Sequence, residues 1–493
     1  MKEHYKSLIS IGKNTKFIII GALFNNIFSF IITLIITNTF GVKVFGNYTY
    51  ILNYIVMASS FLLIGTNNGL AYQLPRIKNK KGNYISFAYI VTLFFSSIAI
   101  ILALIFLKPL SIIIDKHLLL ISLPLLMLVP LKNITISALR GLKKSLNLII
   151  IRDILSSITF FINILFVVFI IKKLKVEGII ISQIIAHIVI VMYGVIYLFK
   201  NKKIKAPFVL SRVEINSFMR YSLFVFFTGI IAILLVRTDI AMIGYFKSAK
   251  EVGVYRVVVK LTMYIVFLNS NINIMLGPEI STLASKNKHD EIVKVYILIT
   301  RWVVVFGAFV FAFILISPTN ILSIFGPEFV IGIKAITIMA IGRIISLSFG
   351  PVALLNSMMN HPKSNLISNI FVLTFNVILN LILIPKYGIT GAAIATATSS
   401  VIANILRMGL LYYKEKIHCF HLSSYKPMIA LIIALGITFI ISSIIHIKNA
   451  IITHGVLYSI FIILFISIIV ILKLTNEEKI LINKLLRKKT YEN

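Results

Sequence analysis

Apolar runs of membrane-spanning length recur from Phe17 to Lys473, separated by short polar stretches. A helix needs about 20 apolar residues to cross the hydrocarbon of a bilayer. Scanning at that length predicts helices near 17–39, 47–72, 84–107, 118–139, 147–171, 176–199 and 217–238. Seven more are predicted near 253–277, 292–316, 330–355, 364–384, 388–413, 427–447 and 450–473, giving fourteen in all. Pro124 and Pro130 in the fourth, and Pro351 in the tenth, are positions where the helix is expected to kink or break.

Composition agrees with the pattern. Of 493 residues, 59% are hydrophobic and 13% charged, whereas a soluble domain is roughly a quarter charged. Mean hydropathy is +1.00. These values exclude a soluble enzyme, and the connections between runs are shorter than the roughly 50 residues a catalytic domain needs. The 49 Lys and Arg against 15 Asp and Glu give +34, a balance that would point to nucleic acid in a soluble protein. Here the membrane partitions it. With the N-terminus in the cytoplasm, 30 Lys and Arg fall inside, counting Arg220, Lys294 and Lys473 at the cytoplasmic ends of their spans, and 10 outside, with nine deeper in spans, as the positive-inside rule requires. Both termini are therefore expected in the cytoplasm. The one cysteine, Cys419, excludes an internal disulfide and a Cys-based metal cluster. Met1 to Lys16 is basic but leads into a full span without a small-residue cleavage site, so no cleavable signal is expected.

Two matches predict an internal repeat. Lys43-Val-Phe-Gly46-Asn-Tyr48 resembles Lys250-Glu-Val-Gly253-Val-Tyr255 at an offset of 207, and Val176-Glu-Gly178-Ile resembles Ile389-Thr-Gly391-Ala at an offset of 213. Six helices preserve the starting side, so the repeat is parallel, about an axis along the membrane normal. The predicted organisation is all-α and integral to the membrane, with two six-helix lobes around a central cavity. The lobes are 1–199 and 217–413, joined by the basic linker 200–216, and 414–493 adds two helices and a basic tail.

Ionisable groups inside spans are costly and usually face a cavity or a partner. The cations are Lys132, Arg152, Arg237, Arg256, Lys260, Arg301, Lys334, Arg343 and Arg407, and the anions are Asp153 and Asp239. Arg152, Arg301, Lys334 and Arg407 lie near span ends and are expected to snorkel to the interface. Arg256, Lys260, Tyr264, Phe267 and Asn271 recur at helical spacing in the eighth span, within an arc of about 80° and over about 22 Å. Such a stripe is expected to line a cavity; the competing reading is a structural pairing of Asp239 with Arg256 or Lys260 across the outer loop, with Arg237 competing for the same acid. Arg343, near the middle of the tenth span, is the leading single candidate for a substrate contact. His187 reads as a packing residue or a proton relay. Asn25 and Asn26 in the first span are candidates for helix contacts or for sugar hydroxyls, while Asn369, Asn376 and Asn380 read as helix glue.

Absences narrow the function. The first six spans hold only Asp153, beside Arg152, where a cation-coupled drug exporter needs a free carboxylate. The outer loops carry isolated acids such as Asp115, Glu177 and Glu328 rather than a glycosyltransferase or polymerase motif, and no Walker sequence appears. No catalytic residue, metal site or cofactor is expected.

The segment Arg237-Thr-Asp239-Ile-Ala-Met-Ile-Gly244-Tyr-Phe, followed by Glu251-Val-Gly253-Val-Tyr255, resembles the seventh-to-eighth helix signature of polysaccharide flippases. These are O-antigen and capsule repeat-unit transporters of the multidrug/oligosaccharidyl-lipid/polysaccharide exporter superfamily. Phe45-Gly46-Asn-Tyr48, Asn360-His-Pro-Lys363 and Leu383-Ile-Pro385-Lys-Tyr-Gly388-Ile-Thr-Gly391-Ala-Ala-Ile-Ala-Thr396 extend the resemblance over about residues 10–415. It implies fourteen helices in two lobes, a bacterial cytoplasmic membrane, and alternating-access transfer of an undecaprenyl-diphosphate-linked oligosaccharide to the outer leaflet. Glycosyltransferases and a glycan polymerase would be partners, with membrane lipid as the surrounding medium and no nucleic acid. Related lipid II flippases carry arginines in their first two spans; this sequence has none there, which moves the expected phosphate site toward the second lobe. The alternatives are a small-molecule antiporter of the same superfamily and a non-transporting scaffold of a glycan-assembly complex.

Overall fold

A computed structural model describes residues 2–77, 79–111, 114–200, 210–419, 421–444 and 450–472. The tail beyond 472 and most of the basic linker, including Lys202, Lys203 and Lys205, lie outside the described residues. Among the described residues eleven helices are long and apolar enough to cross a membrane. The chain divides into two compact units, Met1–Arg256 and Val257–Asn493.

In the first unit, α1 (Lys2–Leu62) is followed by α2 (Thr66–Gln73), α3 (Lys81–Ile105), the short α4 (Leu107–Leu110) and α5 (Lys116–Gly141). Then come α6 (Ser145–Ile149), α7 (Ser156–Phe169), α8 (Val176–Lys200) and α9 (Arg212–Phe246). A π-helical segment, Ile150–Leu155, joins α6 to α7. The two expected spans 17–39 and 47–72 meet in α1 at a single non-helical residue, Gly41, with φ 82° and ψ 171°. That backbone is open to glycine and costly for other residues, so the joint is set by conformation rather than by crowding. The second span ends earlier than expected, at Leu62, because Ile64 and Gly65 turn left-handed before α2 begins. Pro124 and Pro130 do not break α5; packing against α3 and α8 holds it, and neighbouring helices accommodate prolines inside membranes. The core at one end of this unit gathers Leu70, Leu74, Ile85, Ile134, Leu139 and Phe218 from α2, α3, α5 and α9.

Helix α10 (Ala249–Ser285) runs across the division. The second unit continues with α11 (His289–Ile316), α12 (Pro318–Ser323), a 3-10 turn Pro327–Gly332, α13 (Ile333–Leu347) and α14 (Val352–Met358). It closes with α15 (Pro362–Glu415), α16 (Leu422–Ser442) and α17 (Ala450–Ile471). The tenth predicted span is interrupted here: Gly350 has φ 60° and Pro351 precedes α14. Spans eleven and twelve form α15, jointed at Gly388 with φ 56° and ψ −134°. Helix α13 packs on α15 and α11, and α16 packs on α11 and α17.

Two expectations about interfacial arginines are corrected in this unit. Arg301 does not snorkel: it is 1% exposed and donates to the Ser423 carbonyl at the start of α16. Arg407 donates to the Asn369 side chain at 2.6 Å and to Asn404 at 3.2 Å, tying the two limbs of α15 together. Asn380 donates to Asn376 at 2.9 Å on the first limb. In the first unit, Arg152 likewise forms a two-point ion pair with Asp153 through Nε at 2.8 Å and a terminal nitrogen at 2.7 Å.

Candidate functional site

The two copies of the Gly-x-Tyr motif meet inside the first unit. A Cβ on Gly46 would stand 1.7 Å from the Ala249 carbonyl oxygen and 3.1 Å from the Gly253 nitrogen. One on Gly253 would stand 2.6 Å from the Val42 carbonyl oxygen and 3.2 Å from the Gly46 nitrogen. The second limb of α1 and the start of α10 therefore touch backbone to backbone, an approach that small residues alone permit. One turn further along α1, the Tyr50 ring lies where a Cβ on Gly244 of α9 would sit, with Cε2 at 1.8 Å.

Polar groups surround this contact. The Asn53 side chain of α1 donates to the Arg237 carbonyl of α9 at 3.0 Å, and the Arg237 guanidinium reaches back to Asn53 Oδ1 at 3.5 Å. Tyr255 donates its hydroxyl proton to buried Asp239 at 2.9 Å. Tyr48 donates to Gln183 Oε1 at 3.0 Å, and His187 Nδ1 lies 2.8 Å from the Gln183 carbonyl oxygen. Arg256 lies within electrostatic reach of both Tyr48 and Arg237. Two guanidiniums, Arg237 and Arg256, thus lie within electrostatic reach of one another near the glycine contact, and the buried Asp239 is held by Tyr255. Asn53, Tyr50 and Gln183 were not singled out by the sequence; a polar residue at mid-span, as Asn53 is, was the available signal.

The other expected residues fall into two groups. Asn25 donates to Ser157 of α7 at 3.0 Å and Asn26 to its own helix at Ala22, so each has a hydrogen bond within the protein. His187 is 2% exposed and bonded on its own turn. Lys260, Tyr264 and Asn271 follow on α10, with Asn271 donating to the Phe267 carbonyl at 2.8 Å. Arg343 is half-buried near the end of α13 in the second unit, one residue past Gly342, whose Cβ would meet Ala397 at 2.5 Å. Among the described residues no three His, Cys, Asp or Glu side chains gather as a metal ion requires. Cys419, outside the spans, is buried, and that burial pushes its thiol up to about 11.

The architecture recurs in solved membrane transporters. A lipid II flippase in an inward closed conformation matches with a TM-score of 0.73 at 14% identity, covering 91% of this chain and 97% of its own. An inward-facing multidrug resistance transporter of the MATE family and MOP superfamily matches at 0.65 and 15% identity, covering 80% and 94%. At these identities the likeness defines the class by fold: an all-helical, multi-span protein built like these transporters. The chain belongs to the polysaccharide biosynthesis protein family, which matches residues 11–284. Two relatives come from Haloferax volcanii. "Probable low-salt glycan biosynthesis flippase Agl15" is 28% identical over 170 residues, 34% of this chain and 36% of that protein. "Probable flippase AglR" is 26% identical over 242 residues, 48% and 49% respectively. The matched regions thus span half or less of these relatives.

Proposed function

We propose that the protein is a flippase, not an enzyme, which moves a lipid-linked oligosaccharide across the membrane for surface polysaccharide assembly. Family membership and the relatives' names support the glycan-flippase class. The observation that carries it here is the pair of guanidiniums near the Gly46–Gly253 contact: Arg256 stands three residues beyond Gly253 on α10, and Arg237, which reaches Asn53 of α1, lies within its electrostatic reach. Fixed guanidiniums in a low-dielectric setting suit a diphosphate, to which they donate in two-point fashion.

In the finer reading the substrate is an undecaprenyl-diphosphate-linked repeat unit of O-antigen or capsule, carried from the cytoplasmic to the outer leaflet by alternating access. The membrane is the bacterial cytoplasmic membrane, with both termini inside and glycosyltransferases and a polymerase as partners. Fourteen spans form two six-helix lobes, 1–199 and 217–413, around a central cavity; the joints at Gly41 and Gly388, each dividing a helix of double length, support that reading. Arg237, Arg256, Lys260 and Arg343 attract the diphosphate, and Tyr264 and Asn271 serve the glycan. Separation of the Gly46–Gly253 contact opens one side. The antiporter alternative needs a free carboxylate in the first six spans, and Asp153 there is engaged at both oxygens by Arg152.

The test is genetic and biochemical. Deletion is expected to leave lipid-linked oligosaccharide on the cytoplasmic leaflet and to remove surface glycan. Among complementing variants that reach the membrane normally, Arg343→Ala is expected to lower export by roughly one to two orders of magnitude, as loss of one charge-assisted contact of about 1.5–3 kcal/mol implies, and Arg343→Glu to abolish it. A deletion that only sensitises cells to cationic drugs while glycan persists replaces this reading with the antiporter.

A further inference from the structure

A second basic site lies on α9, at the end opposite Arg237. Asn216, Ser217, Arg220, Tyr221 and Phe224 border an open surface cleft of about 740 Å³. The Tyr221 ring stacks on Tyr72 of α2 at 3.8 Å and 14°, and the Arg76 guanidinium lies 3.4 Å over the Tyr72 ring. A guanidinium held by its face keeps its N–H edge available to an anion. Nearby acid is already engaged: Glu214 accepts from Lys80 at 3.0 Å and from the Ser211 backbone at 2.7 Å in the cap that begins α9. Among the described residues neither Arg76 nor Arg220 forms an ion pair.

The helix also changes character along one face. Asn216, Arg220, Phe224 and Phe227 follow one another at helical spacing, and all four are exposed, Phe224 by 66% and Phe227 by 64%. Donors for an anion therefore lead directly into an open apolar track on the same helix. This is the complement of an amphiphile with an anionic head and a hydrocarbon tail.

We propose that this α9 face is a docking site for an isoprenyl diphosphate, with Arg76, Arg220 and Asn216 on the diphosphate and Phe224 and Phe227 along the chain. It rests on the flippase reading and gives that substrate a place of first contact separate from Arg237, Arg256 and Arg343.

The test is binding of geranylgeranyl diphosphate to the purified full-length protein in detergent, with inorganic pyrophosphate and phosphatidylglycerol as further probes. Wild type is expected to bind the isoprenyl diphosphate. Arg76→Gln with Arg220→Gln is expected to weaken it at least tenfold, and Phe224→Ser with Phe227→Ser to weaken it while leaving pyrophosphate binding unchanged. All these side chains are exposed, and an unchanged unfolding temperature checks that the variants fold. Wild-type affinity in the double-Gln variant overturns the site and leaves the flippase reading standing. Equal displacement by phosphatidylglycerol also overturns it, making the face a general contact for anionic lipid. Absence of isoprenyl diphosphate binding by wild type overturns the site, and the flippase reading is then judged separately by surface glycan in the deletion strain.

Discussion

The two copies of the Gly-x-Tyr motif share their glycine contact but not what surrounds it. Gly46 and Gly253 face each other reciprocally. Their tyrosines, two residues on, have different partners: Tyr48 donates to the neutral amide of Gln183, and Tyr255 donates to the carboxylate of Asp239. A hydrogen bond to a charged acceptor is roughly twice as strong as a neutral one. The backbone contact is common to the two motifs, while the polar setting differs between a neutral chain through Gln183 to His187 and a charged acceptor at Asp239. The two motifs share what close approach demands and differ in charge.

Substitutions grade this difference. The largest effect is expected from Gly46→Leu or Gly253→Leu, since either side chain must displace backbone rather than a flexible neighbour. Overpacking costs about 1–3 kcal/mol, and both variants are expected to lose export to a similar degree in a glycan transport assay. Tolerance of one and not the other would break the reciprocity of the contact. Asp239→Asn comes next. It turns the Tyr255 bond into a neutral one at a buried site, so both unfolding temperature and export should fall, with an expected loss of about 1–3 kcal/mol. Tyr48→Phe should cost least, about 1 kcal/mol, because His187 keeps its bond to the Gln183 carbonyl. A larger drop in unfolding temperature for Tyr48→Phe than for Asp239→Asn would reverse the ranking of the neutral and charged settings.

Much of the helical plan was legible because membrane helices must satisfy their own backbone and announce themselves as apolar runs. The glycines of the two motifs were legible as a repeat, yet nothing in their spacing shows that the copies touch. Arg301 was misread for a similar reason. Its place near a span end predicts an interfacial side chain, but its acceptor, the Ser423 carbonyl, is 122 residues away in sequence, and burial depends on that partner. Pro124 and Pro130 looked like breaks because proline removes a donor, a loss that packing in α5 absorbs. Pro351 lies at a true break, where Gly350 has already left the helix. Among the residues the sequence singled out, Arg237 and Arg256 lie within electrostatic reach of each other, and Asp239 accepts from Tyr255. The sequence did not single out Asn53, which bonds Arg237, Gln183, which bonds Tyr48, or Tyr50, which packs on Gly244.

The Gly46–Gly253 contact also constrains inheritance. Two positions 207 residues apart share one small volume, so a mutation at either is judged against the other half of the gene. A recombination joint between them pairs a surface from one parent with its counterpart from another. Exchange among diverging relatives is then compatible with function only where both parents keep that volume empty, and two distant stretches of one gene are obliged to evolve together.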